Sequence, residues 1–157
     1  MRDLILLRHA HAEPAIPGQD DRQRGLSATG LEEARAAGDW LRAHGLMPDR
    51  ILYSDAARTR ETLEAMGDMA GVQGREEASI YEASPGTLAA LADANRDAER
   101  LLLIGHNPGL EQLAAFMHSG QTGDYRGMPP GGIAVLNLPA DVSIEPGSAT
   151  LTQFWWP

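Results

Sequence analysis

The sequence predicts an α/β fold in which helices pack on a mostly parallel sheet. Short apolar runs alternate along the chain with stretches of helical periodicity, a pattern typical of layered α/β domains. Two of these runs lead to a histidine: Leu4–Leu7 is followed by Arg8 and His9, and Leu101–Ile104 by His106. Because ligands of parallel sheets bind at the carboxyl ends of the strands, we expect the two histidines to face one crevice.

Five strands are expected from apolar runs that are bounded by polar residues. In chain order they are Leu4–Leu7, Arg50–Tyr53, Leu101–Ile104, Ile133–Leu138 and Thr150–Trp155. Helical stretches lie between the first four. Two segments rich in Gly, Pro and Asp, residues 14–25 and 119–132, are expected to be long functional loops.

The first helix is predicted to run from Thr29 to His44. Thr29 and Glu32 match a capping box at its start, and Gly45 follows its end as a stop signal. Its inner face is expected to follow a stripe of residues at helical spacing: Leu31, Ala34, Gly38 and Leu41.

Three further helices have start signals of their own. The second is predicted over Asp55–Met69, with Ser54 as its cap. Ser84-Pro85 is expected to begin the third helix and Asn107-Pro108 the fourth, each as a cap followed by proline at the first helical position.

The composition excludes several classes of function. The 157 residues fit one domain, spanning residues 1–157. The net charge of −9 argues against binding to nucleic acid or to an anionic membrane surface. All 13 basic residues are arginine, which excludes lysine-dependent chemistry, and the absence of cysteine excludes disulfides, thiolate metal sites and cysteine nucleophiles. No apolar stretch reaches the length of a signal-peptide core or a membrane span, so a cytoplasmic protein is expected.

A phosphate-binding site is expected where three segments end a strand or open a helix. They carry Arg8 with His9, Arg58, and His106 beside Asn107. Arginine forms paired, charge-assisted hydrogen bonds to phosphate, and a helix N-terminus adds unpaired N–H groups. The sequence therefore predicts a cationic pocket in an acidic protein.

His9 is the expected nucleophile of this pocket. The unperturbed imidazole pKa of about 6.5 leaves a free lone pair near neutral pH, and neighbouring arginines are expected to lower the pKa further. The imidazole would attack phosphorus and carry the phosphoryl group, and water would then hydrolyse the phosphohistidine. Arginine and histidine would replace the metal cation that many phosphatases use.

The motifs resemble those of the histidine phosphatase superfamily. Arg8-His9-Ala10, the segment 54–63 around Arg58, and Gly105-His106-Asn107 carry the resemblance, which spans most of the chain. Arg24-Gly25-Leu26-Ser27 and His106-Asn107-Pro108 are most similar to the short SixA-type phosphohistidine phosphatase branch.

The resemblance implies a fold, a mechanism and a set of site residues. It implies a three-layer αβα sandwich of the phosphoglycerate mutase type, without a metal or organic cofactor. It also implies that His9 is the phospho-acceptor and that Arg8, Arg58 and His106 form the phosphate pocket.

Two positions depart from the pattern of the superfamily. Ala10 replaces the usual glycine, which is tolerable unless the position needs a positive φ. Larger members use a carboxylate as proton donor, for which Glu82 is the best-placed candidate here. A phosphohistidine substrate would need this acid less, because its imidazole can leave already protonated.

Three other residues are candidates for contacts at the entrance of the site. Arg24 either closes over substrate or pairs with Asp20 or Asp21. His11 and Asn107 are the other two candidates, His11 because it lies two residues past His9.

The predicted function is the dephosphorylation of phosphohistidine in a protein. The chain is too short for the helical insertion that covers the site in larger relatives, so the site is expected to admit a protein surface. Alternatives are a small-molecule phosphomonoesterase, a non-catalytic phosphate-recognition module and a two-histidine metal hydrolase. The intact His9 and His106 weigh against the module, and no carboxylate stands at ligand-like spacing beside either histidine.

Overall fold

A six-stranded mixed sheet forms the centre of the structure, a computed structural model that describes residues 1–123 and 127–157. The strands are β1 (Arg2–Arg8), β2 (Arg50–Tyr53), β3 (Gly74–Glu76), β4 (Arg100–Gly105), β5 (Ile133–Leu138) and β6 (Thr150–Trp155). Their order across the sheet is β3-β2-β4-β1-β5-β6. The first four of that order are parallel, and β5 and β6 are antiparallel to their neighbours.

The two strands that lead to the predicted histidines are hydrogen-bonded neighbours. β1 pairs with β4 in parallel, and Arg8 lies opposite Gly105. The residues that follow these two positions, His9 and His106, therefore emerge at the same edge of the sheet. All five predicted strands are present. β3 was not predicted, because its residues carry no apolar side chain.

Four helices cover the two faces of the sheet. They are α1 (Ala28–Ala43), α2 (Ala57–Met66), α3 (Pro85–Ala94) and α4 (Gly109–Ser119). Side chains alternate across β1, so that Leu4 and Leu6 join the core beneath α3 and α4, whereas Ile5 and Leu7 join the core beneath α1 and α2. The predicted three-layer αβα sandwich is confirmed.

The start of α1 differs from the prediction. Ser27 is the N-cap, and its Oγ accepts a hydrogen bond from the N–H of Gly30 at 3.0 Å. The capping box of Thr29 and Glu32 was wrong, because Ser27 already supplies the cap two residues earlier. Leu31 was also wrongly assigned to the inner face and is 38% exposed.

The second helix is shorter than predicted. It begins at Ala57 rather than Asp55 and ends at Met66 rather than Met69, where Gly67 adopts a φ of +85°. Ser54 is not its cap, because the helix starts later with Ala56 as the N-cap, and the Ser54 hydroxyl contacts His106 and the N–H of Ala56.

The predicted start is right for the third helix, α3, and wrong for the fourth, α4. Ser84 and Pro85 begin α3 as predicted, with the Ser84 hydroxyl accepting from the N–H of Thr87. Asn107 is not the cap residue of α4, which begins at Gly109, although its Oδ1 accepts from the N–H of Glu111 at 3.3 Å.

The first predicted loop crosses the carboxyl edge of the sheet. It joins β1 to α1 and contains one short 3₁₀ turn, Asp21–Gln23. The second predicted loop, 119–132, includes residues 124–126, which lie outside the described residues. Within the described ranges, no helix combines the length and apolarity needed to cross a bilayer.

Candidate active site

The four side chains on which the predicted site depends lie together at the carboxyl edge of the sheet. Arg8 ends β1, His9 follows it, His106 follows β4, and Arg58 lies in the first turn of α2. The ring centroids of His9 and His106 are 5.2 Å apart. All four residues line one cleft of about 650 Å³. The structure thus brings together the residues that the sequence indicated, and their catalytic roles remain predictions.

The hydrogen bonding of His9 leaves one ring nitrogen free for chemistry. Its Nδ1 lies 2.7 Å from the carbonyl oxygen of Ala10. Because a carbonyl only accepts, Nδ1 carries the hydrogen and Nε2 keeps its lone pair. The pKa of His9 is lowered to about 3, mainly by burial and further by His106, Arg58 and Arg8. The predicted direction of this shift was right, but burial rather than the arginines is its largest cause.

Arg8 is held at the cleft by the chain segment before β5. Its Nη1 donates to the carbonyl oxygen of Met128 at 2.9 Å, and its Nε is buried without a hydrogen-bond partner within the described part of the chain. Burial lowers the pKa of Arg8, and the carboxylates of Glu111 and Glu33 oppose this. Of the five guanidinium N–H groups, the bond to Met128 uses one, and Arg8 lines the cleft, so Arg8 keeps donor capacity for an anion.

Asn107 lines the cleft, but its side-chain amide is used in hydrogen bonds to other residues of the protein. Its Nδ2 donates to the carbonyl oxygen of Met128 at 2.9 Å and to Oε2 of Glu111 at 3.1 Å. The same carboxylate oxygen accepts from the N–H of Met128. Both amide hydrogens of Asn107 are therefore used, and its contribution is to fix the segment that holds Arg8.

Arg58 is almost completely buried and is held from one side by Asp21. Its Nη1 donates to the Asp21 carbonyl oxygen at 2.8 Å, and its Nη2 donates to Oδ2 of Asp21 at 2.9 Å. The side chain is 6% exposed, and within residues 1–123 and 127–157 its Nε finds no hydrogen-bond partner. Arg58 therefore keeps unused N–H groups in a fixed orientation.

Asp21 is the centre of a polar cluster at the rim. Its Oδ1 accepts from Nε of Arg24 at 3.1 Å, and its Oδ2 accepts from the hydroxyl of Tyr81 as well as from Arg58. The Tyr81 hydroxyl and then Arg58 lower the pKa of Asp21, so its carboxylate stays ionised. Of the two roles open for Arg24, pairing with Asp21 is present, and Arg24 also lines the cleft.

Tyr81 contacts both Asp21 and His106. Its ring meets that of His106 edge-on, with centroids 5.4 Å apart, and the guanidinium of Arg22 lies 4.0 Å from the ring centroid on the tyrosine. Burial is the main cause that lowers the pKa of His106 to about 4, and Arg58 lowers it further while Asp21 opposes the change. His9 and His106 are therefore both neutral near pH 7.

The remaining predicted residues lie at the entrance. Glu82 lines the cleft, is exposed and adopts a φ of +52°. His11 is exposed, and its Nδ1 lies 2.7 Å from Oγ of Ser27. Ala10 is fully buried and does not have a positive φ, so it fits where relatives have glycine.

Three residues of the site were missed by sequence reasoning. Ser54 directly follows β2, as His9 follows β1, and this position at the carboxyl edge was a usable signal. Pairing of Asp21 with Arg24 was one of the sequence alternatives, but the contacts of Asp21 with Tyr81 and Arg58 have no local signal, because they arise only in the tertiary structure. Among the described residues, no three His, Asp or Glu side chains form a group that could hold a metal ion.

Comparison with known proteins agrees with this arrangement. The family model of the histidine phosphatase superfamily (branch 1) matches residues 4–117. An uncharacterised protein of Mycobacterium tuberculosis is 36% identical over 159 residues, covering 94% of this chain and 98% of the relative. The phosphohistidine phosphatase SixA of Escherichia coli is 29% identical over 125 residues, covering 76% of each chain.

A solved structure shares the fold over nearly the whole length. It comes from Nakamurella multipartitia and is provisionally described as the phosphohistidine phosphatase SixA. It superposes with a TM-score of 0.85 at 31% identity, covering 99% of this chain and 96% of the other. With a family match over most of its length and this structural likeness, the chain belongs to the histidine phosphatase superfamily and is of the SixA type.

Proposed function

We propose that this protein is a phosphatase that removes the phosphoryl group from phosphohistidine in a protein, through a phosphorylated His9 and without a metal ion. Membership of the superfamily supports the phosphatase activity. The observation that carries the rest is the neutral His9 with a free Nε2, lying in one cleft with two arginines that retain unpaired N–H groups.

The first step is transfer of the phosphoryl group to His9. The phosphoryl oxygens bind to the arginine N–H groups, which stabilise the charge that develops during transfer. The lone pair on Nε2 forms the new N–P bond as the bond to the leaving nitrogen breaks, and the leaving imidazole keeps the electron pair and a proton. The Nδ1–H bond to the Ala10 carbonyl stabilises the positive charge that His9 acquires.

The second step is hydrolysis of the phosphorylated His9. Water attacks phosphorus, the N–P bond breaks, and its electron pair returns to Nε2, which releases inorganic phosphate and the free enzyme. The same arginine N–H groups serve both steps because the phosphoryl oxygens occupy the same place in each.

The entrance of the cleft favours a protein substrate. Glu82, Ser84 and His11 line the cleft and are exposed, so a phosphorylated side chain on a protein surface can reach His9. The similarity to the E. coli phosphohistidine phosphatase supports the same substrate class. A small-molecule phosphomonoesterase is the second candidate, favoured by the presence of Glu82 in the cleft as a potential acid.

Trapping with a radiolabelled substrate tests the covalent intermediate. We expect an acid-labile phosphoenzyme in the wild-type protein and none in His9→Asn. Tight binding without an adduct or released phosphate would show a recognition module instead. Turnover in the presence of a chelator is expected to be unchanged, and loss of activity that added divalent metal restores would refute metal independence.

Comparing two substrates tests the substrate class. For Glu82→Gln we expect a loss of about 100-fold on an alkyl phosphate but only a few-fold on a phosphohistidine protein, because an alkoxide leaving group needs a strong general acid and a protonated imidazole does not. Glu145→Gln, an exposed carboxylate that does not line the cleft, is the matched control. Higher wild-type kcat/KM on the small ester than on the phosphohistidine protein would favour the phosphomonoesterase.

A further inference from the structure

Two buried hydroxyl groups lie directly behind His106. Oγ of Ser54 is 2.7 Å from Nε2 of His106 and 2.9 Å from Oγ1 of Thr59. Both hydroxyl residues are fully buried. Each hydroxyl has a single hydrogen, so the direction of every hydrogen bond in this chain can be worked out from the groups that only accept or only donate.

The hydrogen of Thr59 is used by the backbone. Its Oγ1 lies 2.9 Å from the carbonyl oxygen of Ser54 and 2.9 Å from that of Ala56. Because neither carbonyl can donate, Thr59 gives its hydrogen to them. Towards the Ser54 hydroxyl, Thr59 can then only accept, so Ser54 donates its own hydrogen to Thr59.

The Ser54 hydroxyl has no hydrogen left for His106. Its Oγ also accepts from the N–H of Ala56 at 3.3 Å, which leaves one lone pair for the imidazole. A contact of 2.7 Å between Oγ and Nε2 therefore requires a hydrogen on Nε2. In the neutral ring, the lone pair then lies on Nδ1.

We propose that Ser54 and Thr59 are positioning residues that fix His106 as the Nε2–H tautomer, so that His106 must gain a proton at Nδ1 before it can donate to a bound phosphoryl group. The Nδ1 atom has no hydrogen-bond partner in the described part of the chain, and His106 lines the cleft. The second half of this inference rests on the proposed function, whereas the tautomer does not.

The proton comes with the substrate or from solvent. A monoanionic phosphoryl group transfers the hydrogen of its P–O–H to Nδ1, which leaves a dianion beside an imidazolium. The new positive charge is stabilised by the anion, which also offsets the repulsion from the arginines. The charged and titratable groups that face His106 come from four parts of the chain and are Arg8, His9, Arg58, Asp21, Arg24 and Tyr81.

NMR of protein labelled with ¹⁵N-histidine tests the inference directly. Two-bond ¹⁵N–¹H spectra distinguish the two neutral tautomers and the imidazolium, and His106→Gln assigns the signals. In the free wild-type protein near pH 7 we expect His106 in the Nε2–H form. On saturation with sulfate, a dianion without a proton of its own, we expect both ring nitrogens of His106 to become protonated.

Thr59→Val is the decisive variant, because it removes the acceptor for the Ser54 hydrogen at nearly constant volume. The Ser54 hydroxyl then turns to donate to Nε2, so we expect the His106 signals to shift to the Nδ1–H tautomer and to remain neutral when sulfate binds. Thr152→Val is the matched control: Thr152 lies on β6, its hydroxyl donates to the carbonyl oxygen of Val135 on β5, and its replacement is expected to leave His106 unchanged.

The outcomes separate the inference from the proposed function. An Nδ1–H tautomer in the free wild-type protein would overturn the inference whatever the activity. The same His106 tautomer in Thr59→Val and wild type would also overturn it. If Nε2–H is found but no phosphoenzyme forms, the positioning by Ser54 and Thr59 stands and the proposed function fails.

Discussion

At the level of single residues, burial determines the charge of His9 and His106. Burial is the largest cause of the low pKa of His9 and of His106, and the nearby arginines add to it. The cleft therefore presents guanidinium groups beside two uncharged imidazoles, those of His9 and His106. This combination favours binding of an anion while keeping His9, the proposed nucleophile, unprotonated.

The low pKa of His9 makes stability depend on pH. The pKa is about 3 in the folded protein and about 6.5 in an unfolded chain, so between these values the unfolded state binds more protons. The free energy of unfolding therefore falls as the pH falls below 6.5. In urea unfolding at pH 7 and 4.5, we expect the wild type to lose roughly 2 kcal/mol more than His9→Gln. Equal losses in the two proteins would contradict this origin of the pH dependence.

The pairing of Asp21 with Arg58 leads to a second prediction. Asp21→Asn removes the charge and one acceptor that hold the guanidinium, so we expect the affinity for tungstate or phosphate to fall by roughly 10-fold, the order of one charge-assisted hydrogen bond. Asp39→Asn, an exposed residue that pairs with Arg42 on α1, is the control. Binding measured by calorimetry that instead becomes tighter would show that the Asp21 carboxylate competes with the ligand for Arg58.

At the level of elements, five of the six described strands were predictable, whereas β3 and several helix boundaries were not. β1 and β4 are buried on both faces, so continuous apolar runs identify them. Helix starts depend on which hydroxyl is free to cap. Ser27 and Thr29 both match a cap in sequence, and the Ser54 hydroxyl is drawn to His106 instead. At Ser54, the tertiary partner His106 and the local backbone share the same hydroxyl.

Gly38 in α1 tests how closely α1 and α2 pack. A Cβ on Gly38 would lie 2.2 Å from the carbonyl oxygen of Met66, a backbone atom that cannot move away alone. Although alanine favours helix by about 1 kcal/mol over glycine, we expect Gly38→Ala to lower stability by roughly 1–3 kcal/mol.

The control for that variant is a glycine in an open position. At Gly86, in the first turn of α3, the nearest atom to a new Cβ is Oγ of Ser84 at 3.8 Å. We expect Gly86→Ala to be neutral or stabilising by up to about 1 kcal/mol. The free energies of unfolding of both variants are to be compared with that of the wild type by urea denaturation. A Gly38→Ala protein at least as stable as wild type would refute the close packing of α1 and α2.

At the level of the whole molecule, the sequence could indicate the centre of the site but not its rim. His9 and His106 follow adjacent strands, and strand ends are visible in sequence. Asp21 and Tyr81 meet only because two connecting segments fold over the same edge, which depends on the complete tertiary structure.

Binding of an oxyanion should stabilise the whole protein. At a tungstate concentration of 100 times Kd, we expect the free energy of unfolding to rise by about 2.7 kcal/mol, because only the folded state holds the site. Arg58→Gln is expected to lose most of this gain. Arg60→Gln, two positions along α2 and exposed, is expected to keep it. Equal stabilisation of the two variants by thermal or urea unfolding would place the anion elsewhere.

The central position of β1 has a consequence for synthesis of the chain. β1 leaves the ribosome before the other five described strands, yet its two sheet neighbours, β4 and β5, begin at residues 100 and 133. At usual rates of translation, roughly 6 to 25 s pass between synthesis of β1 and synthesis of the start of β5. During that time the nascent chain exposes an apolar segment without neighbours. Stalled or prematurely terminated products are therefore candidates for capture by chaperones, and they lack His106 and the segment around Met128 that holds Arg8.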